Sequence, residues 1–234
     1  MNKNDYILVL DSGNGGLYTL KLLEKKLPNE NFVFYKDVIN APYGNKTKKQ
    51  LLQITTKNLT DLLVKYNCKA VVFGCNTLSV VVLNDIKKIF KNIKFFGVFP
   101  PIKKALIDNK NTLVLSTYAT LKMGKIDKNY KYLKNINFIG FKDLAKKIDE
   151  NIDNLDNLLG FLSENLKKYK NINNVVLGCT HFNLIKDQLR MILNNKNIVF
   201  YEGSVRTAKR VKNYLIKNNL CNDGLKKKQT IITN

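Results

Sequence analysis

Short apolar runs alternate along this chain with longer stretches in which apolar residues recur every three or four positions. Tyr6–Leu10, Phe32–Tyr35, Ala70–Phe73, Lys94–Val98, Thr112–Leu115, Asn174–Leu177 and Ile198–Tyr201 are rich in β-branched and aromatic residues and predict strands, with Asn137–Ile139 a shorter one. Gly13–Leu27, Thr47–Tyr66, Leu78–Phe90, Phe182–Leu193 and Ser204–Ile216 predict helices; in the second of these the period runs through Leu51, Ile54, Leu59, Leu62 and Leu63. Pro100-Pro101 suits a helix start, and 143–170 predicts a helix and its linker. The tail from Asn222, with Lys226-Lys227-Lys228, is expected to fray as a solvated end. Apolar strands separated by helices of this length predict βαβ units and a parallel sheet covered on both faces.

The pattern occurs twice. Ile7-Leu8-Val9-Leu10-Asp11-Ser12 resembles Thr112-Leu113-Val114-Leu115-Ser116-Thr117, with Asp11 and Ser116 offset by 105 positions. Val71-Val72-Phe73-Gly74-Cys75 resembles Val175-Val176-Leu177-Gly178-Cys179, offset by 104. Two strand ends displaced by nearly the same amount predict two pseudo-symmetric α/β lobes, each a mainly parallel sheet flanked by helices. Open parallel sheets bind ligands at the carboxyl ends of their strands. Two such lobes face to face would enclose a cleft, with Asp11, Ser12 and Cys75 on one wall and Ser116, Thr117 and Cys179 on the other.

Composition narrows the class. A chain of 234 residues with 44% hydrophobic and 25% charged residues suits a globular protein of one or two domains. No apolar run approaches the ~20 residues of a membrane span, and no secretory leader pattern opens the chain, so a cytoplasmic location is expected. The formal net charge is +22, but only Arg190, Arg206 and Arg210 are arginines, and the lysines are spread through every predicted helix. Readers of nucleic acid favour the bidentate fork of arginine, so this charge is read as a solvated basic surface rather than a nucleic-acid site. Such a surface would speed encounter with an acidic metabolite. The four cysteines have no C-x-x-C spacing and there is one histidine, so no metal site is expected. Cys68 and Cys221, outside the repeated motif, read as structural or incidental.

The two remaining cysteines carry the chemistry. Each follows an apolar run and a glycine and precedes polar residues that open a helix, a setting expected to favour the thiolate. Two thiols on opposed walls suit a symmetric proton relay: one takes a proton from a stereocentre and the other delivers one to its opposite face, inverting the centre without a cofactor. Asp11, in Asp11-Ser12-Gly13-Asn14-Gly15-Gly16, is placed to orient Cys75 or a substrate ammonium, and its glycines permit a tight turn with close ligand approach. His181, two residues beyond Cys179, is a candidate partner to that thiol. Asn76, Thr77 and Thr180 can hydrogen-bond a carboxylate or amine, and the Pro42-Tyr43-Gly44 loop would help cover the ligand.

Taken in order, Asp11-Ser12-Gly13-x-Gly15-Gly16, Pro42-Tyr43-Gly44, Cys75-Asn76-Thr77 and Gly178-Cys179-Thr180-His181-Phe182 resemble the glutamate racemases of the cofactor-independent aspartate/glutamate racemase superfamily. The resemblance runs from about Tyr6 to Leu215. It implies interconversion of L- and D-glutamate, with D-glutamate supplied to peptidoglycan. Cys75 and Cys179 would be the acid/base pair, assisted by Asp11 and His181 respectively. Ser12, Pro42, Tyr43, Gly44, Asn76, Thr77, Thr117 and Thr180 would hold the substrate alongside Asp11 and His181. It also implies a final helix that returns to the first lobe, giving lobes of 1–97 plus 203–234 and 98–202. A homodimer is left open.

The chain departs from the family in the second lobe, where a segment ending in an assisting Glu is usual. Ile136–Asp143 shows no counterpart, leaving Asp143 or Glu150 as substitutes; Asn183 stands for a usual Pro and Glu202 for a usual Asp. Aspartate or hydantoin racemization, a degenerate binding or regulatory module, and a lysine-rich polyanion binder are the rival functions.

Overall fold

The computed structural model of the chain describes residues 2–130, 132–224 and 228–234. Its strands are β1 (Tyr6–Asp11), β2 (Phe32–Lys36), β3 (Cys68–Phe73), β4 (Phe95–Gly97), β5 (Thr112–Thr117), β6 (Ile136–Phe141), β7 (Asn174–Gly178), β8 (Val199–Tyr201) and β9 (Gln229–Thr233). Among the described residues these form two sheets, ordered β4-β3-β1-β2-β9 and β6-β5-β7-β8, and every pairing is parallel. Apart from β9 the two orders superpose: β1 and β5 lie central, β3 and β7 beside them, β4 and β8 beyond. Leu10 pairs with Phe73 and Ser116 with Gly178, so Asp11 and Ser116 stand at equivalent places, each next to a Gly-Cys step.

Strand alternation sends successive residues to opposite faces, and helices cover both. In the first lobe, Leu8 and Leu10 pack with Leu51, Leu59, Leu78 and Leu83. Ile7 and Val9 pack with Leu20 and Leu23 and with Ala208, Val211 and Leu215 of helix Ser204–Lys217. That helix therefore returns to the first sheet after the second is complete. In the second lobe, Leu113 and Leu115 meet Leu144, Ile148, Leu162 and Phe182, while Val114 meets Ile102, Ala105 and Leu121. Helix Lys48–Lys65 starts at a reciprocal cap, with Gln50 N–H donating to Thr47 Oγ1 at 3.3 Å and Thr47 N–H to Gln50 Oε1 at 2.9 Å. Among the described residues no helix is long and apolar enough to cross a membrane.

Several elements differ from the sequence expectation. Leu78–Phe90 is two helices, Asn76–Val81 and Leu83–Ile89, broken within the β-branched run Val80-Val81-Val82. Phe182–Leu193 is a 3-10 turn, Thr180–Ile185, followed by helix Lys186–Ile192. Helices Tyr118–Met123 and Ile126–Tyr130 were not expected; the first is capped by Thr117, whose Oγ1 accepts from Thr120 N–H at 3.2 Å. The 143–170 stretch holds helices Leu144–Glu150 and Leu159–Leu166. The tail does not fray where it is described: β9 pairs with β2, and Asn222 is buried with its N–H donating to Glu30 Oε1 at 2.9 Å. Lys226 and Lys227 lie outside the described residues.

A buried charge pair fixes this end of the molecule. Lys69 on β3 is fully buried and its ammonium meets the Glu30 carboxylate and the Lys3 carbonyl, and donates to Leu220 O at 2.9 Å. Removing one member leaves the other charged and unpaired in the interior. Glu30→Ala is therefore expected to lower unfolding free energy by about 3–5 kcal/mol, read from urea denaturation. The paired change Glu30→Met with Lys69→Met is expected to cost less than Glu30→Ala alone.

Candidate active site

The carboxyl ends of both sheets open onto one cavity of about 390 Å³, within the ~300–1,000 Å³ usual for small-molecule sites. From the first lobe it is lined by Asp11, Ser12, Pro42, Tyr43, Gly44, Cys75 and Thr77, and from the second by Thr117, Cys179, Thr180 and His181. The structure thus brings together the sequence-predicted site residues except two: Ser116, expected on the second wall, is fully buried with its hydroxyl donating to Thr117 O at 3.0 Å, and Asn76 also stands back from the cavity. Asn76 is buried behind the wall, its Nδ2 donating to Val98 O at 3.1 Å, and it does not line the cavity.

The glycine-rich turn after β1, expected to permit close approach of ligand, also packs the two lobes together. A Cβ on Gly15 would stand 2.5 Å from Thr180 Oγ1 and 2.6 Å from His181 Nδ1. One on Gly13 would collide with His181 Nε2 and lie 2.5 Å from Asp149 Oδ2. These glycines let the first lobe's turn seat directly on the second lobe's Cys179-Thr180-His181 turn. The seat is locked by Thr180 Oγ1 donating to Asp11 Oδ2 at 3.1 Å. A second inter-lobe contact joins the Thr77, Thr117 and Thr120 hydroxyls, mutually 2.8–3.1 Å apart.

The two thiols sit in unlike surroundings. Cys75 caps the short helix Asn76–Val81 and is buried. The helix start was expected to favour its thiolate, but burial and the neighbouring Asp11 charge push the Cys75 thiol well above its usual range, outweighing the Leu78 and Thr77 N–H groups. Asp11 is itself pushed up to about 6 by burial, against the His181 charge and the Ser12 and Thr180 hydrogen bonds. In the second lobe the 3-10 turn folds His181 back so that Nδ1 lies 3.7 Å from Cys179 Sγ. The turn is held by the Asn183 side chain, whose Nδ2 donates to Thr180 O at 3.2 Å, and by Phe182, edge-on to Phe141 in the core.

His181 Nε2 lies 3.1 Å from Asp149 Oδ2, completing a chain Cys179–His181–Asp149. Burial alone would lower the imidazole, but Asp149 and the Cys179 sulfur raise it well above its ordinary value. Burial likewise acts to raise Asp149, yet the His181 hydrogen bond and charge, with Lys36 nearby, hold its carboxyl below the usual range. Asp149 corrects the expectation of Asp143 or Glu150 as the second-lobe carboxylate. Asp143 instead accepts from Asn45 Nδ2 at 3.3 Å, and Glu150 lines the cavity while pairing with Lys146 at 3.6 Å. Sequence reasoning also missed Asn14 and Lys36, which line the cavity with Lys36 Nζ donating to Asn14 Oδ1 at 2.9 Å. Cys68 is buried within β3, where burial lifts its thiol to about 12, in keeping with a structural role. Among the described residues no cluster of three or more His, Cys, Asp or Glu side chains is arranged to hold a metal ion.

Fold and site together define a two-lobed α/β protein with one thiol from each lobe over a shared cavity. No protein-family model matches the chain. A glutamate racemase of Clostridium botulinum is 35% identical to it, over 99% of this chain and 92% of that protein. Among solved structures, glutamate racemase from Thermus thermophilus in complex with β-chloro-D-alanine matches with a TM-score of 0.82 and 25% identity, covering 100% of this chain and 89% of that one. Glutamate racemase from Francisella tularensis in complex with D-glutamate matches at 0.77 and 27%, over 99% and 88%. The chain belongs to the glutamate racemase family.

His181 is the chain's one histidine, so its titration can be followed as a single resonance. Its midpoint by NMR is expected well above 6.5, and Asp149→Asn is expected to bring it down. Because the folded-state value of His181 is raised and that of Asp149 lowered, the stabilisation from this pair is full between about pH 4 and about pH 6.5, and is lost as pH rises through the folded His181 midpoint or falls through that of Asp149. Asp149→Asn should therefore cost stability chiefly within that window.

Proposed function

We propose that the protein interconverts L- and D-glutamate by proton exchange at the α-carbon, with Cys75 and Cys179 as the two acid/base groups. The observation that carries this reading is that the cavity is walled by one cysteine from each of two equivalent strand ends. Family membership supports the substrate, and the similar Francisella protein was solved with D-glutamate.

Cys75 holds its proton at neutral pH and can deliver it. Cys179 takes the α-proton, and His181, held in place by Asp149, lies where it can share that proton. In the reverse direction the roles exchange. The α-hydrogen of an amino acid is far less acidic than a thiol, so the site has to stabilise the developing carbanion. Ser12, Tyr43, Gly44 and Thr77 line the cavity, and the Ser12 and Thr77 hydroxyls with the Tyr43 and Gly44 N–H groups are proposed to hold carboxylate oxygens. Asp11, ionised above about pH 6, faces the same space and suits the substrate ammonium. Acid and base both come from side chains of this chain, so the reaction is proposed to need no cofactor. D-glutamate made in this way would serve peptidoglycan synthesis in the cytoplasm.

Purified protein given L-glutamate without pyridoxal phosphate is expected to form D-glutamate, measured by chiral chromatography. Aspartate and hydantoins tested in parallel should turn over poorly; preference for either would overturn the substrate assignment. Cys75→Ser and Cys179→Ser are each expected to lower kcat by about 10²–10⁴-fold; activity near the parent's in either would overturn the pairing.

The kcat/KM profile is expected to fall below about pH 6 as Asp11 becomes protonated. Asp11→Asn should lower activity and abolish that acid limb.

A further inference from the structure

Tyr43 lines the cavity, and its hydroxyl donates to Asp37 Oδ2 at 2.6 Å. Asp37 is fully buried at the end of β2, and the groups that hold it are neutral. Asn58 Nδ2 donates to Oδ2 at 2.8 Å, Asn40 Nδ2 to Oδ1 at 2.8 Å and Asn234 Nδ2 to Oδ1 at 2.9 Å. Burial acts to raise Asp37, but these donors together hold its carboxyl below the usual range, so it stays an acceptor for the Tyr43 hydroxyl.

Three of the donors come from the loop itself or from the helix that follows it. Asn234 comes from the far end of the sequence. It arrives because β9 runs parallel to β2 in a register that sets Thr233 against Lys36 and so brings residue 234 to Asp37. The Asn234 side chain is used at both ends. Its Oδ1 accepts from Val38 N–H at 2.8 Å, while its Nδ2 also contacts Tyr35 Oη at 2.6 Å. One amide thus bridges the backbone and side chain of the residues that launch the 37–44 loop.

We propose that Asn234 is a positioning residue for the substrate cavity, with the 228–234 segment acting as a strap that fixes the loop carrying Pro42, Tyr43 and Gly44 through Asp37. The effect on catalysis rests on the function proposed above; the effect on the loop does not. Gly44 seats against Thr117 of the second lobe, where a Cβ would lie 3.0 Å from Thr117 Cβ, so a loosened loop disturbs both walls.

The test is Asn234→Ala in the full chain, read two ways. Amide hydrogen exchange across 38–44 is expected to quicken about tenfold or more, while β1, β3 and β9 keep their protection. The KM for glutamate is expected to rise about five- to tenfold with kcat within about twofold of the parent. Tyr43→Phe should raise KM similarly, and the double variant should be no worse than the poorer single one, because both changes cut one path. Asn234→Asp, isosteric but placing a second carboxylate against Asp37, should quicken exchange and raise KM more than Ala does. Unchanged exchange in 38–44, additive effects in the double variant, or a parent-like Asn234→Asp would each overturn the proposal. Should the parent fail to racemise glutamate, the function assigned above fails, and the exchange measurement still decides this proposal.

Discussion

The Thr180 hydroxyl reaching across to Asp11 Oδ2 at 3.1 Å is the contact on which the site depends. It joins the end of one central strand to the turn that carries the other lobe's cysteine. The contact is possible only because Gly13 and Gly15 leave no Cβ between the two turns. Seen this way, the glycine-rich turn is a joint between lobes. Asp11 is buried at this joint and raised by that burial, while Cys75 is raised by its own burial and by the Asp11 charge beside it.

The duplicated framework produces unlike halves from like parts. Asp11 and Ser116 occupy equivalent strand ends, yet only the first is ionisable, and Ser116 turns its hydroxyl to Thr117 O at 3.0 Å. The second lobe supplies its charge otherwise, by a 3-10 turn that returns His181 to Cys179 and by Asp149 behind it. A reaction that must run both ways at one carbon suits this arrangement. Each thiol has a charged neighbour, but the neighbours differ in sign: the Asp11 carboxylate beside Cys75 and the His181 imidazole beside Cys179.

Much of this was legible in the sequence. The repeated Val-Val-x-Gly-Cys runs and their common offset exposed the two lobes and the shared cavity, because buried parallel strands leave an apolar signature and their ends must carry the chemistry. Asp149 was not legible among Asp143, Asp149 and Glu150, since only the phase of helix Leu144–Glu150 selects it: Leu144 and Ile148 enter the core, which turns Ala145 and Asp149 toward the cleft. The acidity expected of Cys75 from its helix start failed because burial, invisible in a linear motif, outweighs two backbone amides. β9 was missed because five residues of modest apolarity after a lysine run look like a solvated end until β2 offers them a free edge.

The pairing proposed above has two thiols, one from each lobe, serving opposite faces of one carbon. Its most direct test is the fate of the α-hydrogen in the first turnovers of L-glutamate in deuterium oxide, followed by NMR after chiral separation. D-glutamate is expected to carry solvent deuterium at the α-carbon, while the remaining L-glutamate stays unlabelled. Product that keeps the substrate's own hydrogen, or label entering recovered L-glutamate as fast as the product forms, would contradict it.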